Sequence, residues 1–434
     1  MASRKAGGEY PEDDCNPLNV DLNAPPINPQ IDKIVNRLTN PRDRDRVPGV
    51  AVMVRKGRKI VHLNCYGYAN LEAGTKIRLD TIFDLGSLSK QFTAVAVLDL
   101  VIKNKLSLTD PLSKFFKGFP RYADAITIDD LIHHTSGLPD YSAIYVESRR
   151  AEKDWYHKAM ATGNDWYPQM PAGEREITNR DVLKWIATQT LLPRPPDTEY
   201  EYCNSGYVVL AELVARVTKK RLHEYLKKQL FDDLGMRHTY VYNEASRFSP
   251  TAPEIVNHAR CYNRVSGRFV PVGYTPLNFI TGDGNMHSTI VDLAKWDRNL
   301  HELEVNPVRD LLWSPSTVKS RKRQNYGAGW KLLRDKYEEE IEENGERVTR
   351  RYVRRAEYHR GIWLGWRSFF VRGTRWLVTK TGGIDDRKKE SLGIIVLSNA
   401  IFSQEQFTTC RIAQEISRLY WRKSNIMNKL NCEV

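Results

Sequence analysis

The stretch Phe83–Leu100, FDLGSLSKQFTAVAVLDL, decides how the chain is read. From Phe92 to Ile102 the residues are apolar nearly all round, as a central buried helix requires. Ser87 and Lys90 stand three positions apart where that segment begins, behind Gly86. Burying an ammonium group is costly unless it has a partner. In a helix, positions i and i+3 share a face, with Cβ atoms about 5–6 Å apart. Ser87 in the first turn lies near the positive end of the helix dipole, where a developing alkoxide is favoured. Lys90 can serve it as a cation that eases deprotonation, or as a neutral amine that takes the proton. The spacing is also that of an ordinary helix start, and Ser316-Thr317-Val318-Lys319 repeats it. Only Ser87 has both a glycine before it and an apolar helix behind it.

Outward from this helix, β-like sequence brackets a helical middle. VPGVAVMVRKGRKIVHLNCYGYAN, residues 47–70, reads as two strands around Lys56-Gly57. LGIIVLSN, Leu392–Asn399, is a continuous apolar run suited to a strand buried on both faces. Between them, Thr127–Asp130, Thr178–Asp181 and Thr289–Asp292 have the spacing of capping boxes, each before a helical pattern. YVVLAELVARVTKKRLHEYLKKQLF from Tyr207 reads as another helical stretch, and a last helix is expected over about Gln404–Tyr420. Long loops are expected near 140–175 and 242–280. The pattern predicts an α/β (α+β) fold: an antiparallel sheet flanked by helices, with a mainly helical insertion. The expected division is an N-terminal tail over 1–30, an α/β domain from 31–120 and 281–425, a helical domain over 121–280, and a C-terminal tail over 426–434.

One segment predicts its own pairing. KYEEEIEENGERVTRRYVRR contains Asn344-Gly345, a strong two-residue hairpin signal. Folding there sets Glu342 against Arg347, Ile341 against Val348, Glu339 against Arg350, Glu338 against Arg351 and Tyr337 against Tyr352. Each such pair contributes about 0.2–1 kcal/mol.

Composition narrows the function. The 434 residues are 41% hydrophobic and 27% charged, which suits a globular chain with a sizeable core. The net charge of +13 invites nucleic acid, but the basic clusters, such as Arg321-Lys322-Arg323, are short and form no recognisable module, so no nucleic-acid partner is expected. No apolar run is long enough to span a membrane, and MASRKAGGEYPEDD has no apolar signal segment, so a cytoplasmic protein is expected. Six dispersed cysteines with no CxxC pair read as free thiols, and with no HExxH no metal or cofactor is expected.

A second site element is Glu201–Tyr207, EYCNSGY, a polar loop before an apolar helix. Beside an ammonium group, the Tyr202 phenol is expected to have a depressed pKa and to act as a base. The Asn204 amide can hydrogen-bond the lysine or a substrate carbonyl. A surface tyrosine is the alternative, and Tyr68-Ala69-Asn70 shares the spacing.

In this order, Ser87-x-x-Lys90, Tyr202-x-Asn204 and a His/Lys-x-Gly strand resemble the serine β-lactamase-like family of class C β-lactamases, D,D-peptidases, D-aminopeptidases and family VIII-type esterases. LIHHTSGLPDY, TGDGNMHSTIVDLAKW, YGAGW and SLGIIVLSNA extend the resemblance, which runs from about residue 32 to 421. It implies an α/β domain and a helical domain with the site between them. Two segments compete for the third motif, Lys380-Thr381-Gly382 and His359-Arg360-Gly361. Only His359 leaves room for WRSFFVR as a middle strand before Leu392. Lys380–Gly382 is therefore read as a decoy within a long turn over Gly373–Glu390.

The resemblance implies Ser87 as nucleophile, Lys90 and Tyr202 as base and proton relay, and Asn204 as a binding residue. His359 would line the site and position Tyr202 or the leaving group. The N–H groups of Ser87 and Ile362, the latter following Gly361, would form the oxyanion hole. The chain departs from the family where Pro195-Pro196-Asp197 replaces Pro-Gly, where Cys203 replaces a small residue, and where the third motif lacks lysine. That last change argues against holding a β-lactam carboxylate. Trp363 and Trp366 suggest an aromatic acyl pocket or simply core. The leading expectation is a serine hydrolase forming an acyl-enzyme with a small ester, amide or peptide. The alternatives are a β-lactamase or D,D-carboxypeptidase, and a catalytically silent binding protein. Oligomeric state stays open.

Overall fold

The computed structural model describes residue 18 and residues 20–39, 46–142, 177–189, 192–242, 257–272, 276–302, 307–316, 325–343, 346–379, 381–402 and 408–421. Its strands are β1 (Val50–Lys56), β2 (Lys59–Tyr66), β3 (Tyr68–Asn70), β4 (Thr75–Lys76), β5 (Phe83–Asp84), β6 (Tyr240–Val241), β7 (Cys261–Val265), β8 (Arg268–Val272), β9 (Met286–Ser288), β10 (Lys331–Glu343), β11 (Glu346–Trp363), β12 (Trp366–Val378) and β13 (Ile384–Ser398). Its helices are α1 (Pro29–Thr39), α2 (Ser89–Ile102), α3 (Ile128–His133), α4 (Asn179–Thr188), α5 (Asn204–Thr218), α6 (Leu222–Leu226), α7 (Ile290–Glu302), α8 (Pro307–Leu312) and α9 (Thr408–Tyr420).

The main sheet is antiparallel in the order β10-β11-β12-β13-β1-β2. Strands from both ends of the chain meet in it, with Val50 opposite Ser398 and Lys56 opposite Leu392. Side-chain alternation divides the core between its faces. Met53, Phe370, Ile395 and Leu397 pack on the side of α2 and α5, whereas Val52, Phe369, Ile394 and Val396 pack with residues of α1 and α9. β13 is therefore covered on both faces, as its unbroken apolar run implies. Beneath the sheet, the buried Asp297 carboxylate of α7 accepts from Arg55 of β1 and Arg372 of β12. The two guanidinium groups hold its pKa down to about 2, against the effect of burial.

The hairpin register agrees with the sequence reading at every pair named there, from Tyr337–Tyr352 to Glu342–Arg347. Its turn, Asn344-Gly345, lies outside the described residues. Thr127 with Asp130, and Thr178 with Asp181, form capping boxes, and Thr289 Oγ1 accepts from Asp292 N.

Four expectations need correction. The helix after Tyr207 is two helices, because Lys219 turns left-handed (φ +61°) and ends α5. The 242–280 loop contains the β7–β8 hairpin. The turn holding the third-motif decoy is shorter than Gly373–Glu390, because β12 and β13 keep pairing to Val378–Ile384, with Arg375 bridging Glu390. Cys410 is disulfide-bonded, whereas Cys65, Cys203 and Cys261 are free. The stretches expected as the 140–175 loop and the two tails lie largely outside the described residues, as do Gln404, Lys380 and Thr317–Lys319. No helix among the described residues is long and apolar enough to cross a membrane.

Candidate active site

The site forms where the turn before α2 meets β11. β5 pairs with β9 and delivers the chain to Gly86, whose N–H donates to Asp84 Oδ1 at 2.7 Å. Gly86 is left-handed (φ +52°), and a Cβ on it would stand 2.8 Å from Ile362 N. A side chain there would be strained by conformation and by contact. Ser89 Oγ closes the turn, donating to Gly86 O at 2.6 Å and accepting from Met286 N at 3.1 Å. Ser87 is thereby held at the mouth of α2.

Lys90 is fully buried, and its Nζ donates to Ser87 Oγ at 3.1 Å, Asn204 Oδ1 at 2.8 Å and Asp283 O at 2.7 Å. Three acceptors match the three donors of an ammonium group. A neutral amine keeps two of those bonds and turns a lone pair to the serine. Burial lowers the Lys90 pKa to about 8, opposed by the nearby Asp283 and Asp140 carboxylates.

Asn204 opens α5, and the segment before Ser142 fixes it there. Asp140 Oδ2 accepts from Asn204 N at 2.7 Å, Pro139 O from Ser205 Oγ at 2.8 Å, and His134 Nδ1 from Cys203 N at 3.1 Å. The Tyr202 ring lies under Lys90, with Nζ 4.9 Å from its centroid. Its hydroxyl is buried. Burial raises the Tyr202 pKa, with Ser87 opposing, so the phenol is not depressed as the sequence reading expected. Desolvation of the phenolate outweighs the opposing effects of Ser87 and the Arg360 charge.

Ser87, Asn204 and Ile362 line one cavity of about 170 Å³ with Tyr141, Asp283 and Trp363. His359 lies beside Tyr202, ring centroids 6.1 Å apart. Its Nε2 meets the Tyr326 hydroxyl at 3.1 Å, and its Nδ1 meets Arg360 O at 2.7 Å. The second contact requires Nδ1–H, so Nε2 accepts from Tyr326. Burial, then Lys90, lower its pKa to about 3 and keep the ring neutral. Gly361 lets β11 touch the serine turn, since a Cβ there would stand 1.9 Å from Leu85 O. Trp363 borders the cavity, whereas Trp366 packs in the core against Phe83. Thr381 and Gly382 of the decoy are exposed in the β12–β13 turn.

Sequence reading assigned no role to Asp140, Tyr141, Asp283 or Tyr326. Each lies in a stretch that carried the family resemblance, LIHHTSGLPDY, TGDGNMHST or YGAGW, and that was the available signal. No cluster of metal-ligating side chains occurs among the described residues.

A Beta-lactamase family model matches residues 34–414, and the chain belongs to that family. Penicillin-binding protein 4* of Bacillus subtilis (strain 168) is 25% identical over 331 residues, which is 74% of this chain and 64% of that protein. D-aminopeptidase of Brucella anthropi is 24% identical over 322 residues, 74% of this chain and 52% of that protein. The match thus spans less than two thirds of either relative's length. Two solved structures share the fold. The octameric penicillin-binding protein homologue from Pyrococcus abyssi has a TM-score of 0.65 at 23% identity, covering 91% of this chain and 78% of that one. D-amino acid amidase from Ochrobactrum anthropi SV3, complexed with L-phenylalanine amide, has a TM-score of 0.62 at 17% identity, covering 90% and 98%.

Proposed function

We propose that the protein is a serine hydrolase that acylates Ser87 with a small ester, amide or peptide and then releases the acyl group to water. The observation that carries this reading is the 3.1 Å contact between Ser87 Oγ and a buried Lys90 Nζ whose pKa is about 8. In the neutral form Lys90 accepts the serine proton as Oγ attacks the carbonyl carbon. Tyr202, protonated and beside both groups, passes its proton to the leaving group and takes the serine proton back from the Lys90 ammonium, so both side chains end neutral. The Ser87 and Ile362 N–H groups hold the oxyanion, and Asn204 orients Lys90 and the substrate carbonyl. His359 acts from behind, holding the Tyr202 ring in place. Relatives named as a D-aminopeptidase and a penicillin-binding protein support an amide or peptide substrate.

The β-lactamase or D,D-carboxypeptidase reading is weaker. A buried neutral His359 stands where a lysine would greet a substrate carboxylate, and Asp283 is among the residues that line the cavity. A silent binding protein would not need a lysine buried against a serine. The cytoplasmic placement is weighed against by the disulfide at Cys410, since reducing compartments disfavour such bonds.

Intact-mass analysis after mixing with activated esters, amino-acid amides and β-lactams tests the reading. An ester or amide adduct on Ser87 is the expected result, and no adduct from any substrate sinks it. The pH dependence follows from Lys90. Its neutral form fills as pH rises through about 8, so acylation by an uncharged ester should climb between pH 7 and 9 and then level off. A flat stopped-flow profile across that range would remove Lys90 as the base.

A further inference from the structure

His134 holds the chain on both sides of Tyr202. Its main-chain oxygen accepts from Glu201 N at 2.9 Å, and its Nδ1 accepts from Cys203 N at 3.1 Å. Tyr202 is thereby tied at the residue before it and the residue after it. The imidazole also packs on the Tyr202 ring, centroids 4.4 Å apart, nearer than the 6.1 Å of His359. The backbone of His134 is left-handed (φ +59°) just past the end of α3, a conformation that costs any residue with a side chain. With that turn, the main-chain oxygen and the ring face the same three-residue segment. Because Nδ1 accepts, the neutral ring carries its proton on Nε2, which is buried and has no hydrogen-bond partner among the described residues. The ring meets Tyr326 edge to face, centroids 4.7 Å apart. Burial, then Lys90 and His359, hold the imidazole pKa well below its usual value, which keeps the Nδ1 lone pair available to Cys203. Asn204 has a separate anchor, since its N–H donates to Asp140 Oδ2 at 2.7 Å. Removing His134 therefore loosens Tyr202 more than it disturbs Lys90.

We propose that His134 is a positioning residue that aims the Tyr202 hydroxyl at the leaving group, so that it governs the proton delivered there and not the attack by Ser87. This rests on Ser87 as nucleophile and Tyr202 as proton donor, as proposed above, and adds the residue that sets the donor's direction. The Tyr202 proton passes to the departing oxygen or nitrogen as its bond to the carbonyl carbon breaks, and the Lys90 ammonium replaces it. His134 exchanges no proton in this step. A strongly basic leaving group, such as an alkoxide or an amine, needs that proton in order to depart. A weakly basic one, such as p-nitrophenolate, does not. Dependence on His134 therefore grows with the basicity of the leaving group, which a merely structural role would not produce.

The experiment measures kcat/KM of the full chain for p-nitrophenyl acetate and benzyl acetate, which share an acyl group and differ in the leaving group. In His134→Ala the benzyl ester should lose about 10- to 100-fold and the p-nitrophenyl ester less than about 3-fold. His134→Asn should recover most of the benzyl ester rate, because its side-chain oxygen can accept from Cys203 N and asparagine tolerates a left-handed backbone. Equal losses on both esters, no loss on the benzyl ester, or an asparagine variant no better than the alanine one overturns the proposal. Should the variants fail to fold, or benzyl acetate turn over too slowly to follow, nitrogen-15 spectra of the imidazoles in the unaltered protein serve instead. His134 should remain the neutral Nε2–H tautomer across about pH 7–9, and a proton on Nδ1 overturns the proposal. Acylation of Ser87 with no leaving-group dependence on His134 sinks this inference alone, whereas no acylation by either ester removes the serine-hydrolase reading beneath it.

Discussion

Ser87→Ala is expected to abolish covalent adducts and to lower turnover by on the order of 10³- to 10⁶-fold while the chain stays folded. The substitution removes the attacking oxygen and leaves the turn that carries it. Gly86 keeps its bond to Asp84, and Ser89 keeps its bonds to Gly86 and Met286. Lys90 loses one of three acceptors and retains Asn204 and Asp283. Leaving one donor of a buried charged group unmet costs about 1–3 kcal/mol, which a thermal scan would register as a small drop. Intact mass and ester turnover decide the matter. Adducts of undiminished yield on the alanine variant would place the nucleophile elsewhere.

Gly361→Ala should also be damaging, by a different route. The new Cβ would stand 1.9 Å from Leu85 O and 2.2 Å from Ser368 Oγ. Ser368 could swing away, giving up its bond to Leu85 O, but Leu85 O is backbone and sets the distance between β11 and the serine turn. Those two segments carry the Ser87 and Ile362 N–H groups. Parting them by even a small amount removes one oxyanion donor, an expected loss of about 10²- to 10³-fold in kcat. Overpacking adds about 1–3 kcal/mol of destabilisation. The diagnostic result is slow turnover with Ser87 still present, measured beside a denaturant melt. Near-normal kcat in a folded Gly361→Ala variant would show that the oxyanion site does not depend on this contact.

Much of the architecture was legible because it is written in short-range patterns. The Glu338–Glu342 and Arg347–Arg351 ladder specifies its register by charge, and Leu392–Asn399 announces a strand covered on both sides. The capping boxes mark helix starts through atoms three residues apart. Lys219 was missed because its left-handed conformation ends a helix without glycine or proline to signal it. The extension of β12 and β13 was missed because those residues are polar, and their pairing depends on a neighbouring strand rather than their own pattern.

At the site, residues read by local spacing were easier to find than those that act across it. Ser87 and Lys90 are one helical turn apart. The pKa of Tyr202 was misjudged because desolvation, which sequence does not display, is the largest influence on it and raises it. The Tyr326 partner of His359 lies 33 positions away, in the YGAGW stretch, which carried the resemblance but no assigned role. Asp140, Tyr141 and Asp283 come from segments distant in sequence from Ser87, so only folding brings them together.

The seam between β1 and β13 also sets an order of events during synthesis. Val50 must wait for Ser398, nearly the whole chain later, before the middle of the sheet can close. Until then the hairpin of β1 and β2 leaves the ribosome with one apolar edge bare, while α2 to α5 have local contacts to form at once. Long-range closure of this kind is slow and exposes aggregation-prone edges. Truncation anywhere before β13 should therefore yield insoluble chains rather than a smaller folded domain.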